Sequence, residues 1–244
     1  MIGKHDFWSG TIYVIIAAYN CQNYLEDAVD SVLRQNNITT HIVIVDDGST
    51  DKTPLMIDNM AYNNEKVHAL HKLNGGVSSA RNMGIEYALS ISKDNDYIAF
   101  LDADDAWNFN FFDDEIIHIL SRKTDLIGFQ SALCNDKLTM RAPTIDMKEG
   151  VFEGGNKSIW IYDTQHFGAM LYSCGFLKKY HIHFREELHY SEDKIFLMQG
   201  LYLAKQIILK NRLLYLYRQN ETSAIHTRKY GIPYYVPIID GYLN

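Results

Sequence analysis

The first half of the chain alternates between short apolar runs and segments whose apolar residues recur every three or four positions. The runs Ile12–Ala18 and His41–Val45 are rich in β-branched residues, which is typical of strands buried on both faces of a parallel sheet. Two further strands are predicted at Val67–Leu70 and Tyr97–Leu101. Because helical segments separate these strands over short connections, the pattern predicts a mostly parallel, doubly wound α/β sheet with helices on both faces.

The predicted helices have recognisable starts. Asn23, followed three positions later by Glu26, has the spacing of a capping box, and the apolar residues after it keep to one helical face. A second helix is predicted near Asp51, with Pro54 in its first turn. A third helix follows the loop Asn74–Gly76.

The second half of the chain is less regular. Asp125–Ser131 predicts a strand, Gly150–Tyr162 predicts a loop-rich stretch, and a helix is predicted to begin at Ser191. The segments Gln206–Lys210 and Leu213–Arg218 predict a closing hairpin, because polar residues separate two apolar runs.

The composition is that of an ordinary globular protein, with 244 residues, 47% hydrophobic and 22% charged. We expect one domain over residues 1–244, with a first half at 11–110 and a more irregular second half at 125–244. A net charge of −7 argues against a nucleic-acid partner, which would need a basic face. The three cysteines form no Cys-x-x-Cys pair, which favours a reducing compartment and no structural zinc. Residues 1–6 show no signal-peptide core, so we expect a cytoplasmic protein.

Polar clusters follow three of the predicted strands. They are Tyr19-Asn20, Asp46-Asp47 and Asp102–Asp105. Since ligands of such sheets bind outside the carboxyl ends of the strands, the sequence predicts a site where these clusters meet.

The segment Asp102–Asp105 places three carboxylates within four positions. Hard divalent cations such as Mg²⁺ are held by one or two carboxylates together with substrate phosphates. The alternative is a solvated acidic turn. The position directly after a buried strand favours a site for a metal ion and a diphosphate.

Two other segments carry candidate chemistry. A turn that caps the next helix explains one aspartate of Asp46-Asp47, whereas the second carboxylate could accept a hydrogen bond from a uracil N–H or a ribose hydroxyl. The glycine-containing segment Asn74–Asn82 matches neither of the common phosphate-binding fingerprints. It is either a turn and helix cap with Arg81 as a surface charge, or it places Arg81 near a diphosphate.

Four motifs in order resemble the family 2 glycosyltransferases, which have the GT-A fold, a Rossmann-like α/β architecture. The motifs are Val14–Asn20, Ile44–Asp51, Asn74–Asn82 with Gly84, and Phe100–Asp105, the last of which contains the family's DXD motif. The resemblance is strong over about residues 11–110 and continues more faintly through Ser191–Asp193 and Tyr215–Arg218.

The resemblance implies transfer of a sugar from a nucleotide-sugar, usually a UDP-sugar, with inversion and with Mg²⁺ or Mn²⁺. It implies that Tyr19 and Asp47 contact the base, that the backbone at Ala17 borders the nucleotide, and that Arg81 lies close to it. By the same resemblance Asp102 approaches the ribose or the metal ion, and Asp104 binds the metal ion.

The family's catalytic base is usually an acidic residue at the start of a later helix, which implies Asp193, with Glu192 as the alternative. The Gln-x-x-Arg-Trp motif of processive synthases is replaced here by Tyr217-Arg218-Gln219, which implies addition of one sugar at a time. We therefore expect an enzyme of cell-surface polysaccharide synthesis acting on a glycan or lipid-linked saccharide.

Several residues are weaker candidates. His226 is a candidate further metal ligand, and Trp107, Trp160 and His166 are candidate acceptor contacts, although Trp107 is also readily explained as structural. Mixed basic and aromatic residues over 210–235 suit either peripheral contact with the inner face of the cell membrane or the outer strand of the fold.

Two rival functions stay open at this point. A nucleotidyltransferase that makes the nucleotide-sugar would need a basic, glycine-rich loop after the first strand, where this chain has Tyr19–Gln22. A non-catalytic nucleotide-sugar-binding module would not need both the Asp102–Asp104 pair and Asp193, so the presence of both counts against it.

Overall fold

A computed structural model describes residues 8–143, 147–153, 166–188 and 190–219. Its strands are β1 Thr11–Ala18, β2 Thr39–Asp46, β3 Val67–His71, β4 Tyr97–Phe100, β5 Ala106–Trp107, β6 Leu126–Cys134, β7 Met140–Pro143, β8 Gly150–Glu153, β9 Met170–Ser173 and β10 Gln206–Arg218. Its α-helices are α1 Leu25–Leu33, α2 Thr53–Asn63, α3 Val77–Ile91, α4 Asp114–Leu120, α5 Cys174–Tyr180 and α6 Glu192–Leu203.

Within the described residues the strands form one sheet, in the order β3-β2-β1-β4-β9-β6-β10-β5, with β7 beside β6 and β8 beside β10. Strands β1 to β4 are parallel to one another, and β1 is central among them. Strand β9 is antiparallel to both β4 and β6 and so joins the two halves of the chain in one sheet. The predicted α/β sheet is confirmed, with the four parallel strands β1 to β4 in the first half of the chain and a further parallel pair, β6 and β10, in the second.

Two hydrophobic cores lie on the two faces of the sheet. Because side chains of a strand alternate between faces, Val14 and Ile16 of β1 join the core that contains helix α1, whereas Tyr13 and Ile15 join the core that contains helix α3. Both faces of β1 are thus buried, which accounts for its continuous apolar run.

Helix α3 packs closely on β1 at Gly84. A Cβ atom added at Gly84 would lie 2.5 Å from Cγ2 of Ile15, which is closer than side chains approach. A glycine here lets the helix that carries Arg81 lie directly against the central strand.

The predicted capping box at Asn23 is wrong. Helix α1 begins at Leu25, and its N-cap residue, Tyr24, makes no side-chain capping bond. The backbone N–H groups of Tyr24 and Leu25 both donate to the carbonyl of Cys21 instead, so a backbone turn starts the helix.

The predicted closing hairpin is also wrong, because Gln206–Arg218 is a single strand that runs parallel to β6. The polar residues that suggested a turn are accommodated by irregular pairing between Leu209 and Tyr215. Lys210 pairs with Glu115 at 2.8 Å and Arg212 with Asp113 at 2.7 Å, so other elements satisfy them.

The predicted loop-rich stretch at Gly150–Tyr162 begins as a strand, since Gly150–Glu153 pairs with β10, and residues 154–165 lie outside the described residues.

The ion pairs of Lys210 and Arg212 also concern the predicted membrane contact of residues 210–235. Lys210 and Arg212 each form an ion pair with a carboxylate, and of the three cations only Arg218, at 3% exposed, is buried away from a lipid surface. The remaining basic residues of this stretch, Arg228 and Lys229, lie outside the described residues. In the part of the chain that the structure describes, every helix is too short or too polar to cross a bilayer.

Candidate active site

A pocket of about 350 Å³ opens at the carboxyl ends of β1 and β2. The strands and the loops that follow them contribute Ala17, Tyr19 and Asp47, three of the residues predicted to bind a nucleotide. The start of α3 forms a second wall and Glu186–Tyr190 contributes residues to a third. The aromatic ring of Tyr19, 54% exposed, is available for stacking against a planar ligand.

The two neighbouring aspartates after β2 have separate tasks. Asp46 accepts a hydrogen bond from the N–H of Ser49 at 3.0 Å and so closes the turn that was expected from the sequence. The Asp47 carboxylate accepts from Lys72 Nζ at 2.8 Å and from the N–H groups of Gly75 and Gly76 at 2.9 and 2.8 Å. The second carboxylate therefore orders the glycine loop that borders the pocket.

The three carboxylates of the loop Asp102–Asp105, called the acidic loop below, also differ in role. Asp105 is 1% exposed and accepts from Tyr215 Oη at 2.6 Å and from the N–H of Arg218 at 2.7 Å. Burial, together with the charges of Asp102 and Asp104, holds the pKa of Asp105 well above its ordinary value. Asp105 is thus an internal anchor for the loop, whereas Asp102 and Asp104 are partly exposed.

Two side chains of strand β10 hold the acidic loop in place. Tyr215 Oη accepts from the N–H of Asp102 at 3.2 Å while it donates to Asp105. Arg218 Nε donates to the carbonyl oxygen of Asp104 at 2.6 Å, and another guanidinium nitrogen donates to Asp27 on α1 at 2.8 Å. The predicted motif Tyr215–Arg218 therefore acts by holding the acidic loop.

The acidic loop fits a metal site that the substrate would complete. Asp102 and Asp104 offer two accessible carboxylates, and Mg²⁺ needs only one or two together with phosphate oxygens. The described residues contain no cluster of three or more candidate ligands that would form a complete protein site. The candidate ligand His226 lies outside the described residues.

Arg81 is buried between two carboxylates. One terminal nitrogen is 2.8 Å from Asp102 Oδ1 and the other is 3.0 Å from Glu192 Oε1, with the side chain 7% exposed. The guanidinium lies over Phe167 at 4.5 Å and Phe184 at 5.2 Å. Burial lowers the pKa of Arg81, but the two carboxylates outweigh it and raise the pKa above its ordinary value.

This geometry decides between the two interpretations of Arg81 in one respect. It is not a surface charge, because it is enclosed by ion pairs and aromatic rings. Neither Arg81 nor Asp102 is in the described lining of the pocket, and the closeness of Arg81 to a nucleotide stays a prediction.

The two base candidates lie at the start of α6. Glu192 is held by Arg81, and its pKa is raised mainly by burial, with the charge of Arg81 acting in the opposite direction. Asp193 is partly exposed and accepts a hydrogen bond from the N–H of Lys194 at 2.7 Å. The carboxylate of Glu192 is thus engaged by the ion pair with Arg81, while that of Asp193 accepts from the backbone of the next residue.

His166, one of the predicted acceptor contacts, lies within the described residues. His166 is partly buried, its Nδ1 accepts from the N–H of Gly168 at 3.2 Å, and its ring centroid is 4.6 Å from that of Tyr215. Burial lowers the pKa of His166, although the charges of Asp102 and Asp193 act to raise it. These contacts of His166 are with the backbone of Gly168 and the ring of Tyr215, and its role toward an acceptor stays a prediction.

Trp107 is not an acceptor contact, because it is 2% exposed and packs on Phe112 in the core, where it leaves a ligand almost no surface. Trp160 lies outside the described residues.

Sequence reasoning missed Lys72, which supports Asp47, and the wall formed by Glu186, Leu188 and Tyr190. These residues reach the site because the fold brings together segments that are far apart in the chain, so no local sequence pattern identifies them.

Comparison with known proteins agrees with this geometry. The family described as "Glycosyl transferase family 2" matches residues 13–181. The chain is 26% identical over 242 residues to the "Uncharacterized glycosyltransferase EpsJ" of Bacillus subtilis, covering 96% of this chain and 66% of EpsJ. It is 34% identical over 116 residues to the "Putative teichuronic acid biosynthesis glycosyltransferase TuaG" of the same organism, covering 47% of this chain and 44% of TuaG.

The fold is similar to that of solved structures of S. aureus TarS. The complex of TarS 1–349 with UDP superposes with a TM-score of 0.70 at 25% identity, covering 86% of this chain and 61% of that one. The complex with UDP-GlcNAc gives a TM-score of 0.76 at 24% identity, covering 96% and 67%. The chain thus spans about two thirds of EpsJ and of TarS 1–349. Because the family match covers well over half of its length, the chain belongs to glycosyltransferase family 2, and it has the GT-A fold.

Proposed function

We propose that the protein transfers one sugar from a UDP-sugar to a hydroxyl group of a glycan or lipid-linked saccharide, with inversion, in cell-surface polysaccharide synthesis. The observation that carries the proposal is the bridge through Arg81, which joins Asp102 of the acidic loop to Glu192, the neighbour of Asp193. A carboxylate of the acidic loop and the start of the helix that carries both base candidates thus belong to one connected cluster. Cytoplasmic location, at the membrane face for a lipid-linked acceptor, is part of this proposal.

The donor is bound by the pocket and the acidic loop. Tyr19 stacks on the base, the Ala17 backbone borders it, and Asp47 accepts its N–H. Three protein donors already bind the Asp47 carboxylate, which has about four lone-pair positions, so one position on Oδ2 is left for the ligand. UDP and UDP-GlcNAc are ligands of the TarS structures with this fold, which supports uracil as the base.

A divalent cation, Mn²⁺ or Mg²⁺, would be held by Asp102 and Asp104 and would supply charge neutralisation for the departing diphosphate. Asp105, Tyr215 and Arg218 keep the backbone of that loop in place. Since one oxygen of Asp102 is bound by Arg81, the other oxygen is the one offered to the donor.

Asp193 acts as the general base. Its carboxylate takes the proton of the acceptor hydroxyl as that oxygen forms a bond to the anomeric carbon, and the bond from that carbon to the diphosphate oxygen breaks on the opposite face. General-base assistance of this kind contributes about 10²- to 10⁴-fold in rate. Glu192 positions the start of the helix through Arg81 and is engaged by that ion pair.

The direct test is calorimetric titration of UDP, GDP, CDP and dTDP with and without Mn²⁺, on the wild type and Asp104→Asn. We expect metal-supported binding of UDP that the substitution abolishes, while the control Asp114→Asn, at an exposed residue of α4, binds as the wild type. Sugar transfer is then assayed with UDP-sugars and saccharide acceptors.

Failure of all four nucleotides to bind would overturn the donor site. Binding of UDP-sugar without transfer to any acceptor would favour the binding-module alternative. Formation of a UDP-sugar and pyrophosphate from UTP and a sugar 1-phosphate would favour the nucleotidyltransferase.

A further inference from the structure

Ser78 carries a buried hydroxyl that the protein itself leaves unused. The residue is 4% exposed in the first turn of α3, and its Oγ has no hydrogen-bond partner among the described residues. Buried polar atoms in folded proteins are almost always paired, so an unpaired one calls for a specific explanation. Ser78 lines the same pocket as Tyr19 and Asp47, which points to a ligand as the missing partner.

Trp107 provides a useful contrast. Its Nε1 is likewise buried without a partner among the described residues, but the ring packs in the hydrophobic core and does not contribute to the described lining of the pocket. Of these two unpaired atoms, only the Ser78 hydroxyl belongs to a pocket wall.

The neighbouring donors are already engaged. The N–H groups of Gly75 and Gly76 donate to Asp47, and the side chain of Lys72 donates to it as well. The O–H of Ser78 is therefore a donor still free for a ligand, and the one open position on Asp47 is an acceptor. Because no hydrogen bond holds the Ser78 hydroxyl among the described residues, it is available to a ligand in the pocket that this residue lines.

We propose that the Ser78 hydroxyl donates a hydrogen bond to a carbonyl oxygen of the uracil ring whose imide N–H is accepted by Asp47. A uracil ring carries this N–H between two carbonyl groups, and Asp47 and Ser78, which line the same pocket, supply an acceptor and a donor for it. The inference rests on the proposed function, in which this pocket holds the nucleotide. Ser78 is then a residue that contributes to base selection.

The test compares Ser78→Ala with Ser79→Ala, a matched control in the same helical turn that lies outside the described lining of the pocket. Calorimetry measures binding of UDP and of its 2-thio and 4-thio analogues, because sulfur is a weaker acceptor than oxygen. We expect Ser78→Ala to bind UDP roughly tenfold more weakly and Ser79→Ala to bind it as the wild type. For the wild type, one of the two thio analogues should bind more weakly than UDP. For Ser78→Ala, that analogue and UDP should bind with equal affinity.

Thermal unfolding of the free protein separates ligand binding from a structural role. Since the hydroxyl has no partner in the described structure, Ser78→Ala should unfold at the same or a higher temperature than the wild type, while its UDP-induced shift in Tm is smaller.

Equal UDP affinity for Ser78→Ala and the wild type would overturn the inference. A weaker UDP affinity of Ser78→Ala would also overturn it if both thio analogues still bind this variant as much more weakly than UDP as they bind the wild type, since the hydroxyl would then contact another part of the ligand. A clear fall in the Tm of the free variant would overturn it as well. Absence of UDP binding by the wild type itself would instead reject the proposed function, and with it this inference.

Discussion

Arg81 and Glu192 lie 111 positions apart in the chain and form an ion pair of 3.0 Å. Their side chains are 7% and 14% exposed, so the pair is shielded from solvent. The second nitrogen of Arg81 reaches Asp102, which joins the first half of the chain to the start of α6. The start of the helix that carries the base candidate Asp193 is therefore tied to a residue of the first half of the chain.

Replacing Arg81 should destabilise the protein. Arg81→Gln leaves Glu192 buried without its cation, and removing one partner of a buried pair costs about 3 to 5 kcal/mol. Urea unfolding measures this loss. The double variant Arg81→Gln/Glu192→Gln should recover part of it, because the unpaired charge is gone. A single variant within about 0.5 kcal/mol of the wild type, the range of ordinary surface changes, would contradict the prediction.

The two acidic residues at the start of α6 should differ in their kinetic effects. Asp193→Asn removes the proposed base and should lower kcat by about 10²- to 10⁴-fold, with UDP affinity unchanged in calorimetry. Glu192→Gln alters an ion pair rather than the base, and it should show a smaller fall in kcat together with a loss of stability. The reverse order of kcat effects would assign the base to Glu192.

Gly84→Ala should destabilise the fold because the new Cβ meets Ile15 Cγ2 at 2.5 Å, a branched side chain within the core. Overpacking of this kind costs about 1 to 3 kcal/mol. Gly200→Ala in α6 is the matched control, since its Cβ would lie 3.5 Å from the nearest atom, in ordinary contact. Denaturant unfolding should show a loss for Gly84→Ala and no loss for Gly200→Ala. Equal stability of the two variants would reject the close approach.

A histidine pair should give stability a measurable pH dependence. His41 Nδ1 and His68 Nε2 are 2.8 Å apart, and burial lowers the pKa of both residues. The unfolded chain then binds more protons than the folded chain below the ordinary histidine pKa of about 6.5. Their contribution to stability is complete above that pH and is lost as the pH falls toward the lowered pKa values.

His71 provides the opposite sign within the same protein. Burial lowers its pKa, but hydrogen bonds to Asp46 and Asp58 outweigh burial and raise it. Its contribution is present below the ordinary pKa and is lost as the pH rises through the raised one. Urea unfolding between about pH 5 and 8 should show a flatter acid-side loss for His68→Gln and a steeper one for His71→Gln. Identical profiles for the two variants would contradict these assignments.

Local patterns in the sequence were sufficient to predict the four parallel strands β1 to β4. Runs such as Ile12–Ala18 have β-branched residues on both faces, and they can be satisfied only inside a sheet covered on both sides. The ends of these strands carry Tyr19 and Asp47, which do line one pocket. The hairpin predicted for Gln206–Arg218 failed because its polar interruption is satisfied by carboxylates of other elements, which no local pattern reveals.

The sequence by itself therefore determined the α/β architecture, the order of the motifs and the strand ends at which the polar side chains collect. Only the tertiary structure decided how those side chains are divided among tasks. It buries Asp105 as an anchor, leaves Asp102 and Asp104 partly exposed, and engages Arg81 with two carboxylates. The physical reason is that strand position follows from local periodicity, whereas burial and ion pairing depend on residues brought together from distant parts of the chain.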